Sequence, residues 1–370
     1  MGRIAVIGAG WYGCHIGGVL IGLGLDVDIY EKAGDVFSGA SGNNQFRLHM
    51  GFHYPRSHRT RLQSRDGFAR FLERYPRLSA AIDNNFYAVP TGDSLLDFQT
   101  YKMIMSSAGI EFSERPTAEI VDRHRFQNLD GILQCSERVI LTGRAREYFK
   151  KRLGTRLHLN SPVERIVEGP NDVEVNGRKY DFVIDTTWGH LTLPSLSCFW
   201  EPTMLFYYRA KAAEPALTLV DGPLASVYPT EEAGLYTLSS VPITPIGQFD
   251  NAAAAVDARN RVNTEMVGQK RAAMEKQIGR YIRDFQDRFS YEGIQLAIKT
   301  KPIGASDDRS CWVGHAGRRF SVLSGKIDTI FFAAEAIVGQ LDSMVEAMTA
   351  ESESPATATV AGIHRLPHSV

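Results

Sequence analysis

A glycine-rich turn near the start of the chain constrains its fold more than any other feature. A short apolar run, residues 4–7, predicts a buried strand, and an apolar segment of helical length, residues 14–23, follows it. Between them stand Gly8, Gly10 and Gly13, at the spacing G-x-G-x-x-G. The first glycine permits a tight turn, the second lets the backbone approach a pyrophosphate, and the third lets helix and strand pack closely. This unit predicts a dinucleotide-binding βαβ fold.

An acidic residue completes the unit. A second predicted strand, residues 27–30, ends at Glu31, where a carboxylate can accept hydrogen bonds from the hydroxyls of a ribose. The start of the intervening helix, with Trp11 and Tyr12, offers backbone N–H groups and the positive end of the helix dipole to phosphates. Lys32 follows the acid and joins the predicted cofactor-binding residues. Taken alone, these residues are compatible with NAD, NADP or FAD.

Composition narrows the class of protein. The chain has 370 residues, 44% of them hydrophobic and 22% charged, which predicts a soluble protein of two domains or of one domain with a large insertion. A net charge of −1 gives no reason to expect nucleic acid as a partner. We find no apolar run near the roughly 20 residues that span a bilayer, and no signal-peptide pattern. The four cysteines are scattered and no metal-ligand spacing is present, so we expect a cytoplasmic protein without a metal.

The rest of the chain alternates between patterns typical of two kinds of sheet. Residues 163–186 predict a small antiparallel meander with a hairpin at Asn176-Gly177, leading into a buried parallel strand. Residues 199–249 predict several short antiparallel strands. The arginine-rich segment 59–77 predicts an amphipathic helix, whose arginines we interpret as a solvated face rather than a nucleic-acid site.

A polar loop after the second strand carries the most specific resemblance to a known family. Residues 41–44 are Ser-Gly-Asn-Asn, and residues 49–54 are His-Met-Gly-Phe-His-Tyr. This order resembles the corresponding loop of L-2-hydroxyglutarate dehydrogenases and oxidases, within the flavoprotein superfamily of D-amino acid oxidase. The meander that ends at Trp188 and the turn at Gly325 are similar to later segments of the same superfamily.

The resemblance implies FAD as the cofactor and an α/β fold. The expected fold is a Rossmann-like FAD-binding domain with a three-layer ββα arrangement, plus an antiparallel-sheet substrate domain. The expected division is residues 1–75, 130–200 and 300–345 for the FAD-binding domain, residues 76–129 and 201–299 for the substrate domain, and residues 346–370 for a flexible tail.

The resemblance also assigns residues to the cofactor beyond the first unit. They lie in the polar loop, the meander and the last turn, and they are Ser41, Asn43, Asn44, Val163, Thr187, Gly325, Lys326 and Ile327. The short side chains of the loop suit a pyrophosphate and the edge of a flavin ring, and Val163 would contact the adenine end. A helix predicted from residue 329 would direct its positive N-terminus at the flavin. Lys326 would either assist that helix or lie at the surface.

His49 is the residue best suited to acid–base chemistry, because imidazole titrates near neutral pH. In the oxidation of a 2-hydroxy acid it would accept the hydroxyl proton while hydride passes to flavin N5. A structural histidine would fit the same position. His53 and Tyr54 are further candidates, and Arg47 could bind a substrate carboxylate through two parallel hydrogen bonds. Phe46 and Arg47 depart from the family pattern, so the substrate is less well defined than the cofactor. Weaker candidates from later strands are Tyr228, Tyr236 and Lys301.

These features predict an FAD-dependent oxidoreductase. It would oxidise the C–H bond beside a hydroxyl or amine of a small carboxylate-bearing substrate, such as an amino acid or a 2-hydroxy acid. Electrons would pass to oxygen or a quinone, and an oligomer is compatible with the sequence. A flavin monooxygenase, a redox-neutral sugar mutase and a non-catalytic flavin-binding protein remain as alternatives. A second G-x-G-x-x-G for NADPH is missing, which counts against a two-nucleotide monooxygenase.

Overall fold

The computed structural model describes residues 2–304 and 308–353 and arranges them around two large β-sheets. The strands, in chain order, are β1 (Arg3–Ile7), β2 (Asp26–Tyr30), β3 (Arg47–Leu48), β4 (Ser79–Ala81), β5 (Asn85–Pro90), β6 (Ser113–Glu114), β7 (Leu129–Gln134), β8 (Arg138–Ile140), β9 (Leu157–His158), β10 (Ile166–Glu168), β11 (Val173–Val175), β12 (Arg178–Tyr180), β13 (Phe182–Asp185), β14 (Cys198–Ala210), β15 (Ala216–Leu219), β16 (Ala225–Pro229), β17 (Leu235–Ser240), β18 (Phe289–Pro302), β19 (Trp312–Ala316) and β20 (Arg319–Leu323). The helices are α1 (Trp11–Gly22), α2 (His58–Arg74), α3 (Phe98–Ser107), α4 (Thr117–His124), α5 (Thr142–Leu153), α6 (Ala252–Asn260), α7 (Thr264–Ile278), α8 (Phe285–Arg288) and α9 (Ile330–Glu353), with 3-10 turns at Ala40–Gly42, Gly154–Arg156 and Ile327–Thr329.

The first sheet is built on the N-terminal unit. Its order is β19-β20-β13-β1-β2-β9, and β1 pairs in parallel with both β2 and β13. Ile7 lies opposite Tyr30 on one side and Asp185 on the other. The carboxyl ends of three strands are therefore level at one edge, which is where nucleotides bind in sheets of this kind. The predicted Rossmann-like arrangement is confirmed.

The first sheet is covered by different layers on its two faces. Helix α1 contacts β2 and packs against α5 and α9. On the other face, the small sheet β10-β11-β12 buries Val173 and Val175 together with Ala5 and Ile7 of β1. The result is the expected succession of meander sheet, parallel sheet and helices. The predicted hairpin joins β11 to β12, with positive φ at both Asn176 and Gly177 as a type I′ turn requires.

The second sheet has eight strands in the order β18-β14-β17-β16-β15-β5-β7-β6. Most neighbours are antiparallel, and β15 pairs in parallel with β5. Its longest strands, β14 and β18, pair along their whole length. Helices α4, α7 and α8 pack onto this sheet around a separate apolar core. A small third sheet, β3-β8-β4, contains the short strand that lies between the two parts of the polar loop.

Two helices on the second half of the fold begin at clear side-chain caps. Helix α3 begins at Phe98, because the Asp97 carboxylate accepts a hydrogen bond from the Thr100 N–H and caps it. Helix α7 begins at Thr264, where the Asn263 side chain accepts from the Met266 N–H. Helix α9 continues to Glu353, so the first part of the predicted tail is helical. Residues 354–370 of that tail lie outside the described residues. Across residues 2–304 and 308–353, we find neither a helix long and apolar enough to cross a bilayer nor a metal-binding group of acidic, histidine and cysteine side chains.

The contact between α1 and β1 leaves no room for a side chain at Gly13. A Cβ atom placed there would lie 1.8 Å from the carbonyl oxygen of Gly8. By contrast, a Cβ at Gly18, on the same helix, would meet no atom within 4 Å. The third glycine of the motif therefore sets the distance between helix and strand.

We expect Gly13→Ala to lower the free energy of unfolding by about 2 kcal/mol, because the methyl group forces backbone atoms apart. Gly18→Ala is the matched control and should raise it by about 0.5 kcal/mol, since alanine favours a helix more than glycine does. Urea denaturation of both variants measures the difference. Equal stability of the two proteins would contradict the close contact at Gly13.

Candidate functional site

The glycine turn and the polar loop meet at the start of α1. The backbone N–H of Trp11 donates a hydrogen bond to the Ser41 hydroxyl at 3.0 Å. A Cβ at Gly10 would lie 2.8 Å from the same hydroxyl oxygen. The Trp11 side chain is buried and stacks on Phe37, with ring centroids 4.8 Å apart. Trp11 therefore contributes its backbone N–H to the site. Gly10 has no side chain, so the backbone beside Ser41 is not covered.

Glu31 lies at the edge of the first sheet, as its position after β2 predicts. Its two carboxylate oxygens accept hydrogen bonds from the backbone N–H groups of Ala9, at 2.8 Å, and Ala33, at 3.0 Å. Lys32 is exposed beside it. The carboxylate is thus fixed against the glycine turn by its own backbone contacts.

Three of the predicted cofactor residues form hydrogen bonds within their own segments, and a fourth packs against the neighbouring core. The Asn43 amide donates to the carbonyl of Gly39 at 2.9 Å, and the Asn44 amide donates to that of Ala40 at 2.9 Å. The Thr187 hydroxyl donates to the Asp185 carboxylate at 2.6 Å. Val163 packs against the core between the meander and the first sheet. These side chains hold the shape of the segments that border the site.

The last turn lies against the first helix. The Tyr12 hydroxyl donates to the carbonyl oxygen of Lys326 at 2.6 Å, and Ile327 begins the 3-10 turn that leads into α9. A Cβ at Gly325 would lie 3.0 Å from the ring of Trp188, which follows the parallel strand β13. The structure therefore brings Tyr12, Trp188 and Lys326 together at the start of α1.

Lys326 is buried, so the alternative of a surface lysine is wrong. Its Nζ lies 3.9 Å from the centroid of the Tyr54 ring, and its side chain is 5% exposed. Burial lowers the pKa of Lys326, and the carboxylate of the buried Asp328 opposes that effect. Burial likewise raises the pKa of Asp328, and Lys326 opposes it. Through this contact with Tyr54, Lys326 brings the last turn against the segment that carries His49 and His53.

Arg47 is held in the interior by aromatic and acidic neighbours. Its Nη1 donates to the Tyr87 hydroxyl at 2.9 Å, and its guanidinium lies 4.0 Å from the centroid of the Tyr228 ring. Its Nε lies 4.0 Å from a carboxylate oxygen of Glu137. Tyr236, by contrast, belongs to the core of the second sheet and donates to the carbonyl of Glu214.

Glu137 is the member of this cluster that the sequence analysis missed. It is fully buried, and its Oε1 accepts from the Met50 N–H at 2.8 Å while its Oε2 accepts from the Tyr87 hydroxyl at 2.8 Å. Burial raises the pKa of Glu137, whereas the charge of Arg47 opposes the rise. A single acidic residue between two apolar strands matches no sequence motif. Glu137 reaches the site because β3 pairs with β8.

His49 lies between the carboxylate and the cations. Its Nδ1 is 3.7 Å from Glu137 Oε1, and its side chain keeps 19% exposure. Burial lowers the pKa of His49 well below its ordinary value, and Lys326 and Arg47 lower it further. The imidazole is therefore neutral at neutral pH and able to accept a proton. Rings of the two other predicted residues lie near it, with centroids 6.1 Å away for His53 and 6.0 Å away for Tyr54.

Strand β18 of the second sheet adds basic residues. Lys301 pairs with the carboxylate of Glu201. Burial, and then the charge of Lys301, lower the pKa of Lys299 to about 8. Lys299 acts electrostatically on His49, so this strand faces the same space. Sequence reasoning missed Lys299 because the alternation of β18 does not show which face meets the site.

The two ends of the site fit FAD. The bare backbone at the glycine turn and the fixed Glu31 suit the ADP half of the molecule. Among the residues that the structure describes, Trp188 Nε1, Gln45 Nε2 and Arg47 Nη2 are buried and find no hydrogen-bond partner. Buried donors of this kind call for an acceptor, and the flavin ring carries carbonyl oxygens and ring nitrogens.

Comparison with known proteins agrees with this geometry. The family profile described as FAD dependent oxidoreductase, of D-amino acid oxidase type, matches residues 3–240. The FAD-dependent monooxygenase FPY4 of Fusarium mangiferae is 53% identical over 339 residues, which are 92% of this chain and 91% of that protein. The FAD-dependent monooxygenase kojA of Aspergillus flavus is 29% identical, over 91% of this chain and 85% of its own length. An L-α-glycerophosphate oxidase from Mycoplasma pneumoniae with FAD bound has a TM-score of 0.71 at 13% identity, covering 92% of this chain and 95% of that one.

The buried ion pair can be tested by removing its cation. We expect Arg47→Met to lower the free energy of unfolding by about 3 kcal/mol at pH 7, because Glu137 is left buried without a counter-charge. The loss should grow from about pH 4 to pH 7. Over that range the carboxyl ionises in the unfolded chain and keeps its proton longer in the folded variant, because burial raises its pKa and Arg47 no longer opposes the rise. Denaturant titrations at several pH values measure this dependence.

Arg70 provides the matched control. It forms an ion pair with Glu335 at 2.6 Å, and both side chains are more than a third exposed. Arg70→Met should cost less than about 1 kcal/mol at every pH, as for other exposed pairs. Similar losses in the two variants would refute a special role for the buried pair.

Proposed function

The chain belongs to the FAD-dependent oxidoreductase family of D-amino acid oxidase type, and from this premise we propose that it oxidises a small anionic substrate. The bond oxidised is a C–H beside a hydroxyl or an amine, and the product is the corresponding carbonyl or imine. An amino acid or a 2-hydroxy acid has the required groups. The observation that carries this proposal is the placement of His49, with Nδ1 3.7 Å from the buried carboxylate of Glu137 and the rings of His53 and Tyr54 beside it.

FAD would be held at both ends of the site by residues of this chain. We assign the ADP half to the glycine turn and Glu31, and the flavin to the polar loop and the turn at Lys326. When bound, FAD supplies the two-electron acceptor for the oxidation. Residues 1–75, 130–200 and 300–345 would form its domain, with residues 76–129 and 201–299 forming the substrate domain. Oxygen or a quinone would then take up the electrons.

His49 would act as the base. Oxidation of a hydroxyl-bearing carbon releases a hydride from carbon and a proton from oxygen, and the proton needs an acceptor within hydrogen-bond reach. Burial lowers the pKa of His49, and the charges of Lys326 and Arg47 lower it further, so the imidazole is unprotonated at neutral pH. An amine substrate that binds in its neutral form would need less of this assistance, and His49 would then orient it.

Basic residues would bind the anionic group of the substrate. Lys299 and Lys326 both act on His49 from outside its own segment, one from the second sheet and one from the last turn. Arg47 is a weaker candidate than its residue type suggests, because Glu137 and Tyr87 already engage its guanidinium. Its Nη2 has no hydrogen-bond partner in the described part of the chain and could still contact the substrate. His53 and Tyr54 would line the same space.

The test is anaerobic mixing of the FAD-loaded protein with a panel of 2-hydroxy acids and amino acids. We expect at least one of them to abolish the absorbance band of oxidised flavin. For a hydroxy acid, His49→Asn should slow that change about 100-fold or more, the usual range for loss of a general base. His53→Asn is the comparison and should slow it much less. A full panel without any change in absorbance would reject the proposal.

Monooxygenation is a second candidate, because the 53% identical relative is named an FAD-dependent monooxygenase. Its stoichiometry differs from that of simple oxidation. One oxygen atom of O₂ enters the product, and the other is reduced to water by a two-electron donor such as NAD(P)H. Reaction under ¹⁸O₂ separates the two candidates. Label in the organic product favours monooxygenation, whereas hydrogen peroxide with unlabelled product favours simple oxidation. Purified protein that takes up no FAD would reject both.

A further inference from the structure

Glu137 makes contacts that fix its carboxylate in one orientation. Oε1 accepts from the backbone N–H of Met50, and Oε2 accepts from the Tyr87 hydroxyl. The backbone carbonyl of Glu137 accepts a further hydrogen bond from the Asn85 amide at 3.1 Å. A fully buried carboxylate held at both oxygens, on a backbone that is itself hydrogen-bonded, cannot turn away from its neighbours without breaking hydrogen bonds.

The small third sheet places this carboxylate beside His49. Leu48 of β3 pairs with Arg138 of β8, so the residue after the first strand lies next to the residue before the second. His49 Nδ1 lies 3.7 Å from Glu137 Oε1. That nitrogen is buried and has no hydrogen-bond partner in residues 2–304 and 308–353, whereas the ring as a whole retains some exposure. The buried edge of the imidazole therefore faces the carboxylate, and the open edge carries Nε2.

We propose that Glu137 is a positioning residue that holds His49 in the tautomer with hydrogen on Nδ1, which leaves Nε2 as the atom that accepts the substrate proton. This inference rests on the proposed role of His49 as the base. A carboxylate accepts hydrogen bonds and donates none when it is ionised, so it selects the N–H tautomer on the side facing it. The distance of 3.7 Å is longer than a hydrogen bond. A slight turn of the ring toward Oε1 would shorten it, as acid–base contacts commonly shorten once substrate binds.

The charges around His49 give the carboxylate a second effect. The groups that face the imidazole from the surrounding elements are Arg47 of β3, His53 and Tyr54 of the following segment, Glu137 before β8, Lys299 of β18, and Lys326 of the last turn with Asp328 beside it. When Nε2 takes a proton, the ring becomes a cation among cations. Glu137 offsets that charge at the opposite edge and lowers the free energy of the protonated state.

Nuclear magnetic resonance of the FAD-loaded protein labelled with ¹⁵N-histidine gives a direct readout. The signal of His49 is identified by its loss in His49→Asn. We expect the resting wild-type protein to show hydrogen on Nδ1 of His49 and a bare Nε2. Hydrogen on Nε2 instead would overturn the proposal, and this measurement needs no substrate.

Glu137→Gln tests the role of the negative charge. Glutamine has nearly the same shape, but its amide oxygen attracts an N–H less strongly than a carboxylate does. We expect a smaller fraction of the Nδ1–H tautomer and a ten- to hundredfold lower kcat with KM changed less than about threefold, part of the 100- to 10,000-fold that a general base contributes. Tyr87→Phe, which removes a contact on Oε2 and leaves Oε1 in place, should keep the wild-type tautomer. An unchanged tautomer and kcat in Glu137→Gln would refute the proposal.

Failure of the two proposals can be told apart. If no substrate of the panel changes the flavin absorbance, the proposed oxidation is rejected, and the tautomer of the resting protein still decides the role of Glu137. If the oxidation is found and His49 carries its hydrogen on Nε2, the positioning role alone is rejected. If Glu137→Gln does not fold, the wild-type tautomer remains decisive.

Discussion

The buried pair of Arg47 and Glu137 is the constraint on which the interior of this site depends. Removing either charge from water costs several kcal/mol, and the cost is offset only when each group finds a counter-charge and hydrogen bonds. Here the carboxylate is satisfied by Met50 and Tyr87, and the guanidinium is placed by Tyr87 and the ring of Tyr228. Their neighbours therefore have little freedom to move, and these include His49, the proposed base.

The same pair explains how this chain accommodates an unusual loop. Phe46 has a φ of +55°, which a side chain rarely adopts. Its N–H donates to the Asn44 side chain, and the Gln295 amide donates to the Asn44 carbonyl at 2.9 Å. The strand that follows is then anchored through Arg47. The loop is thus held by Gln295 of the second sheet on one side and by Arg47 of the small third sheet on the other.

Features set by neighbouring residues were predictable, and those set by distant pairing were not. The G-x-G-x-x-G turn, the hairpin at Asn176-Gly177 and the closeness of the last turn to α1 follow from local patterns or from resemblance. Glu137 was missed because its contact with Met50 spans 87 positions and depends on the order of a three-stranded sheet. Lys299 was missed for a related reason, since its environment is determined by a bulge-containing pairing of β14 with β18. Periodicity reports which residues share a face, but not what that face meets.

The hydrogen bond from Tyr12 to the Lys326 carbonyl joins residues 314 positions apart. During synthesis the glycine turn therefore leaves the ribosome long before the turn at Lys326. Helix α1 is apolar and packs against α9, so it lacks that cover until α9 has also been made. Native packing of the N-terminal βαβ unit is thus completed by a segment that is synthesised much later.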